Sequence, residues 1–165
     1  MGITTRSQLD MKALKQAIAT VLKLPEDVVI ESHSHVDVSK LNHFITIGVI
    51  SSELIGEENR FDAANELEII TASRSTTLSI NAYGANAYQL IEKLSSVLAT
   101  HYANQIFKQL VDASVLKKSE VRNLPTAIAG GQEQRAQIDL TLSHIHRIES
   151  QLNRGESVVI TTFKD

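Results

Sequence analysis

The sequence predicts an α+β fold: one mostly antiparallel β-sheet with helices packed on one face. Three observations carry it. Apolar residues recur at helical spacing before Pro25 and again after Gly84, and Ala136, Ile138, Leu140 and Leu142 alternate strictly with polar neighbours. The gaps between strand-like runs are of hairpin length, too short for the crossovers of a parallel sheet.

Ser7, with Asp10 three residues later, has the form of a capping box. Met11, Leu14, Ile18, Val21 and Leu22 then follow a helical period until Pro25 ends it, which predicts a helix over about 7–23. Residues 28–38 read as extended but polar, and the β-branched run Phe44–Ile50 as a buried strand, so a strand pair or hairpin is expected there. The stretch 56–66 carries Glu57, Glu58, Asp62 and Glu66 against Arg60 alone and shows no apolar periodicity. It is expected as an exposed acidic loop. From Leu67 the chain is rich in Thr, Ile and Ser, and Leu78, Ile80 and Ala82 alternate with Ser79, Asn81 and Tyr83, giving a long strand that ends at Tyr83-Gly84.

Asn86 is placed to cap a main helix over about 86–112. Its apolar stripe runs through Leu90, Ile91, Leu94, Val97 and Leu98 and shifts phase before Tyr102, Ile106, Phe107, Leu110 and Val111, with a break expected near Asn104. Residues 115–124 read as extended, Pro125 to Gly131 as turn, and 136–142 as the clearest strand. Val158, Val159 and Ile160 after Gly155 suggest a short closing strand.

At 165 residues the chain fits one α+β domain. Hydrophobic residues make up 42% and charged ones 21%, a composition that folds, and the scarcity of aromatics leaves an aliphatic interior. The absence of cysteine rules out disulfides, thiolate nucleophiles and thiolate metal ligands. No signal-peptide pattern opens the chain and no run of about 18 apolar residues occurs, so no membrane association is expected. A formal charge of −3 offers no basic field for a polyphosphate backbone, which argues against tight DNA binding.

Two His-x-His pairs, His33 with His35 and His144 with His146, would point to one face if each lay on a strand, and Asp37 could complete a ligand set with the first pair. Two ligands of the usual three or four make a weak metal site, and histidines on a sheet surface or interface account for them better. There is no G-x-S-x-G elbow, no P-loop and no dinucleotide-binding glycine pattern, and Gly130-Gly131 reads as a turn. The acidic stretch lacks the spacing of a calcium loop. Arg122, Arg135, Arg147 and Arg154 form no aromatic-interleaved patch. No cofactor and no catalytic residues are expected; the residues point to a binding or assembly protein rather than an enzyme.

The segment from Leu67 to Leu142 resembles the neck and tail terminator (tail completion) proteins of phages and prophages. The resemblance rests on Ser79-Ile80-Asn81-Ala82-Tyr83-Gly84, then Asn86-Ala87 opening a helix, then Val121-Arg122-Asn123-Leu124-Pro125, a glycine turn, and Glu133-Gln134-Arg135-Ala136-Gln137-Ile138-Asp139-Leu140. It implies a tail-terminator-like fold and a virion structural protein, made in the host cytoplasm during assembly. Such a protein forms a ring, expected as a hexamer, that caps the head-proximal end of the tail tube, ends its polymerisation and joins it to the head connector. DNA would pass through the ring without specific binding. Within that reading Arg122, Arg135 and Asp139 are candidates for intersubunit or local ion pairs, and Glu57, Glu58, Arg60 and Asp62 for the lumen or a ring-to-ring face. A head-completion or connector-adaptor protein of the neck is the alternative from the same class, and a small metal-binding protein using the paired histidines the alternative from another.

Overall fold

The computed structural model describes residues 2–152. In chain order it contains β1 (Ile3–Ser7), α1 (Met11–Leu22), a single 3-10 turn (Glu26–Val28), β2 (Val29–Glu31), β3 (His43–Asp62) and β4 (Leu67–Gly84). Next come α2 (Ala87–Val97), α3 (His101–Val111), β5 (Ser114–Lys118), β6 (Arg122–Asn123), β7 (Thr126–Ile128), β8 (Gly131–Glu133) and β9 (Arg135–Gln151). The expected closing strand near Val158 lies outside the described residues.

The fold mixes α and β, and its centre is the antiparallel trio β3, β4 and β9, of 20, 18 and 17 residues. The strand order is β1-β9-β4-β3-β2, with β5 and β6 also pairing along β9 and with β7-β8 forming a separate hairpin. Only β2 against β3 is parallel. Residues directly opposite one another project to the same side. Ile45 and Ile47 of β3, Leu78, Ile80 and Ala82 of β4, and Ala136, Ile138, Leu140 and Leu142 of β9 therefore share one face. That face is buried in one cluster with Leu14, Ile18 and Leu22 of α1, Ile91 and Leu94 of α2, and Phe107 of α3. Among the described residues no helix lies over the opposite face.

Several elements differ from the sequence expectation for identifiable reasons. The first helix starts at Met11, because Asp10 is the cap, its carboxylate accepting from the Lys12 N–H at 2.9 Å. Ser7 is taken up by β1, and its Oγ donates to the Ile145 carbonyl of β9. Residues 28–38 and 44–50 do supply the expected strand pair, but as β2 (Val29–Glu31) parallel to β3 rather than as a hairpin, with Val28 closing the 3-10 turn and 32–38 running as turn and coil. The expected main helix is two helices, and the break falls at Thr100 rather than Asn104. Thr100 caps α3 by accepting from the Ala103 N–H at 3.1 Å, and the Asn104 side chain donates to the Thr100 carbonyl. Asn86 makes no side-chain cap; it adopts a left-handed backbone (φ 63°) after the Gly84 turn.

The largest correction concerns 56–66, which is not a loop. Through Asp62 it is strand, paired residue by residue with β4 from Glu57↔Ala72 to Asp62↔Leu67. The turn to β4 is closed by the Asp62 carboxylate, which accepts from the N–H groups of Ala64 and Asn65 and from the Asn65 side chain; the last of these does most to hold the carboxyl below its ordinary range. β3 and β4 thus run on with β9 and β1 as a four-stranded arm beyond the helices.

Candidate assembly surface

The uncovered face of the sheet is polar from its middle to the α2 end, and toward the arm it also carries Leu67, Ile69 and Ile145. On β4 it presents Thr71, Ser73, Ser75, Thr77, Ser79 and Asn81, and on β9 Gln137, Asp139, Thr141 and Ser143, as their mutual register requires. At the α2 end these side chains form one chain of hydrogen bonds. Arg122 Nη1 donates to Asp139 Oδ2 at 2.9 Å, and Gln137 Nε2 donates to Asp139 Oδ1 at 3.2 Å and to Ser79 Oγ at 2.6 Å. Asn81 Nδ2 donates to Ser79 Oγ, and Arg135 donates to Asn81 Oδ1 through both Nε and Nη2, at 3.2 and 2.9 Å. The Arg135 guanidinium also lies over the Tyr83 ring, which stacks on Phe44 at 4.8 Å between centroids.

Arg135 and Asp139 share one face by the alternation along β9, and the pairing of Arg122 with Gln137 brings Arg122 to the same face. Arg122 and Asp139 form an ion pair within the chain, and Arg135 turns instead to Asn81. The hydrogen bond and charge of Asp139 raise the proton affinity of Arg122. Fixed in this way, the face is a set of oriented hydroxyls, amides and paired charges, suited to holding a shape rather than to proton transfer or nucleophilic attack.

On the arm the acidic residues divide by register. Glu58, Arg60 and Asp62 stand on the uncovered face opposite Thr71, Ile69 and Leu67, whereas Glu57, opposite Ala72, stands on the helix side. Glu58 and Arg60 line a shallow hollow of about 380 Å³ with Thr71, Arg147 and Glu149. The hollow balances two carboxylates against two guanidinium groups and carries no net charge.

The histidine pairs part company. His33 and His35 lie in turn and coil, so the shared strand face expected for them does not exist. His144 and His146 do share a face of β9, on the helix side of the sheet, in a cleft of about 400 Å³ with Arg74, Thr76, Ser52 and Met11. His144 is buried, with its Nε2 2.7 Å from Thr76 Oγ1. Among the described residues no group of three His, Cys, Asp or Glu is placed to hold a metal ion. No helix among them is long and apolar enough to cross a membrane.

A family model described as phage neck terminator protein matches residues 11–165. The chain belongs to the phage neck terminator family. No curated protein matches it. Membership assigns this neck terminator a structural role in the tail or neck of a phage virion, where it interacts with other tail or neck proteins. The open polar face, the arm and their charges are the features through which a structural role has to be read. Sequence reasoning missed most of that face. Its signal was the Thr/Ser run on alternate positions from Thr71 to Ser79, readable as a surface only once both flanking strands are known.

Proposed function

We propose that this chain is a subunit of a ring, expected as a hexamer, that caps the head-proximal end of the tail tube, ends tube polymerisation and offers the joining surface to the head. It has no catalytic role in that reading. One observation supports it most: among the described residues a sheet face is left uncovered that presents six polar side chains of β4 and four of β9, rich in hydroxyls, in a chain whose family works in the phage neck. Turned toward the ring axis, that face gives DNA a polar channel without a cationic patch to hold the phosphates. Glu58, Arg60 and Asp62 lie on the same face and line the channel mouth, while Glu57 points to the other side. Arg122 stands on β6, at the margin of the sheet, and with Asp139 and Arg135 it stiffens the region where the next subunit meets this one.

A closed ring of identical subunits needs a heterologous contact that returns on itself. Light scattering over a concentration series, with and without purified tail tubes, tests the reading. A species near 109 kDa, about six copies of the 18.2 kDa chain, supports it, as do tubes of fixed length capped at one end. A protein that stays monomeric in both settings, leaving tubes to grow without limit, overturns it. Binding to portal-bearing heads in place of tubes assigns the chain to the connector-adaptor class.

A further inference from the structure

The sheet has two free edges of opposite charge. From Val49 to Asp62 strand β3 pairs with β4 on one side and, among the described residues, with nothing on the other, since β2 reaches only Ile45–Ile47. This edge carries Glu53, Glu57, Glu58 and Asp62 against Arg60 alone. Across β4 and β9 the opposite edge is made by β1 and β5, whose sequences ITTRS and SVLKK contain three cations and no carboxylate. Both edges are also apolar. Ile50, Leu54 and Ile55 are exposed on one, and Ile3 and Leu116, 73% and 57% accessible, on the other.

Edge strands are often blunted by charge and by bulges, and β3 has both, with register shifts after Val49 and after Leu54. Protection alone does not explain why the charges are sorted by sign, or why large aliphatic residues remain beside them. Glu53, Glu57, Glu58 and Lys117 form no ion pair among the described residues, whereas Arg6 is held by Glu149 at 2.7 Å and Lys118 donates to the Ser95 carbonyl. The register also agrees. Lys117 opposite Thr141, Glu53 opposite Ser75 and Glu58 opposite Thr71 all project to the uncovered face.

We infer that the acidic β3 edge of one subunit receives the basic β1–β5 edge of a second copy of this chain, with Lys117 set into the negative field between Glu53 and Glu58 and the sheet continuing across the boundary. Strand β3 is antiparallel to β4, β4 to β9, and β9 to both β1 and β5, so β5 runs opposite to β3. Setting the next copy's β5 beside β3, with the strands kept along one axis, continues the alternation and forms an antiparallel ladder. The contact is head-to-tail, and where the rotation per copy divides a full turn its repetition closes into a ring with the same sheet face on one side throughout. This inference rests on the ring reading and adds to it the surfaces that make the contact.

Charge reversal tests the two edges separately. The variant E53K/E58K has two basic edges and K117E lowers the charge of the other edge, both at exposed positions that should leave circular dichroism and Tm unchanged. Each variant alone should self-associate at least tenfold more weakly than wild type, in solution or on tail tubes. An equimolar mixture should recover assembly, because alternating copies again set acid against base. Cysteines introduced at Glu53 and Lys117 of this cysteine-free chain should form disulfides only between copies. If wild type assembles and both variants assemble equally well, the edge contact is wrong while the ring stands. If wild type never assembles, with or without tubes, the ring reading falls and the edge contact with it.

Discussion

His144 and Thr76 meet across the β4–β9 pair with Nε2 and Oγ1 2.7 Å apart, and Thr76 in turn donates to Ser52 Oγ at 3.1 Å. The Thr76 hydroxyl has one proton, already committed to Ser52, so it can only accept from His144. Nε2 therefore carries the imidazole proton, and Nδ1, which is buried and has no partner, is left as a lone pair. A neutral ring suits this buried site; a charged ring loses its hydration there, and the Ile145 backbone offsets only part of that cost.

That geometry gives a pH dependence of definite sign. Burial is the main force holding the His144 pKa below 6.5; contact with the Ile145 backbone opposes it, and the charges of His146 and Arg74 add to it. The unfolded chain therefore takes up this proton first. The contribution is complete above about 6.5, is lost as the pH falls from there through the lower folded value, and then levels off. The carboxyl of Asp62, also held low, acts in a separate window below 3.8. Urea unfolding at a series of pH values from 7.5 to about 4.5 should show stability declining in the upper window, and His144→Leu should flatten that decline. An unchanged slope in the variant would remove His144 as its source.

Gly84 is fixed by its neighbours rather than by the turn alone. Its φ is 99°, and a Cβ there would run into the carbonyl oxygen of Asn42 and crowd His43 Cα. Both are backbone, where β3 enters the sheet, so neither can swing aside. Gly84→Ala should cost at least about 1–3 kcal/mol in denaturant unfolding. Gly130→Ala, at φ 95° but with open space around it, should cost less, since only the backbone strain remains.

How much of this was legible in the sequence depends on what each residue is buried against. β9 and the end of β4 were readable because Ile138, Leu140, Leu78 and Ile80 alternate a helix-covered side with an open one. The second half of β3 was not. It lies beyond the helices, its side chains are exposed on both faces, and the shift after Leu54 breaks the period, so the strand is held by its backbone ladder and leaves no hydrophobic signature. Arg135 and Asp139 could be assigned to one face from spacing alone. The opposition of Glu53–Asp62 to Ser114–Lys118 could not, because it exists only through a strand order that no local pattern encodes.

The Arg122–Asp139 pair is half exposed, its side chains 37% and 24% accessible, so water screens it. A double-mutant cycle with Arg122→Ala and Asp139→Asn on the isolated subunit should give only a weak coupling, shrinking as salt is raised. A much larger coupling would mean that the hydrogen-bonded chain through Gln137 and Ser79 acts as one unit.

The division between packed sheet and arm makes the last prediction. Leu140 is fully buried between β4 and the helices, whereas Leu54, on the arm, is 48% accessible. Leu140→Ala leaves a cavity in a core that cannot collapse around it and should cost about 2–5 kcal/mol. Leu54→Ala should change the stability of the isolated subunit by about 0.5 kcal/mol or less. Because the β3 edge is where a second copy is inferred to dock, the same Leu54→Ala should weaken self-association measurably while leaving Tm in place. Thermal unfolding and sedimentation on one sample read the two effects apart, and a large drop in Tm for Leu54→Ala would show that the arm is packed within the subunit and not reserved for a neighbour.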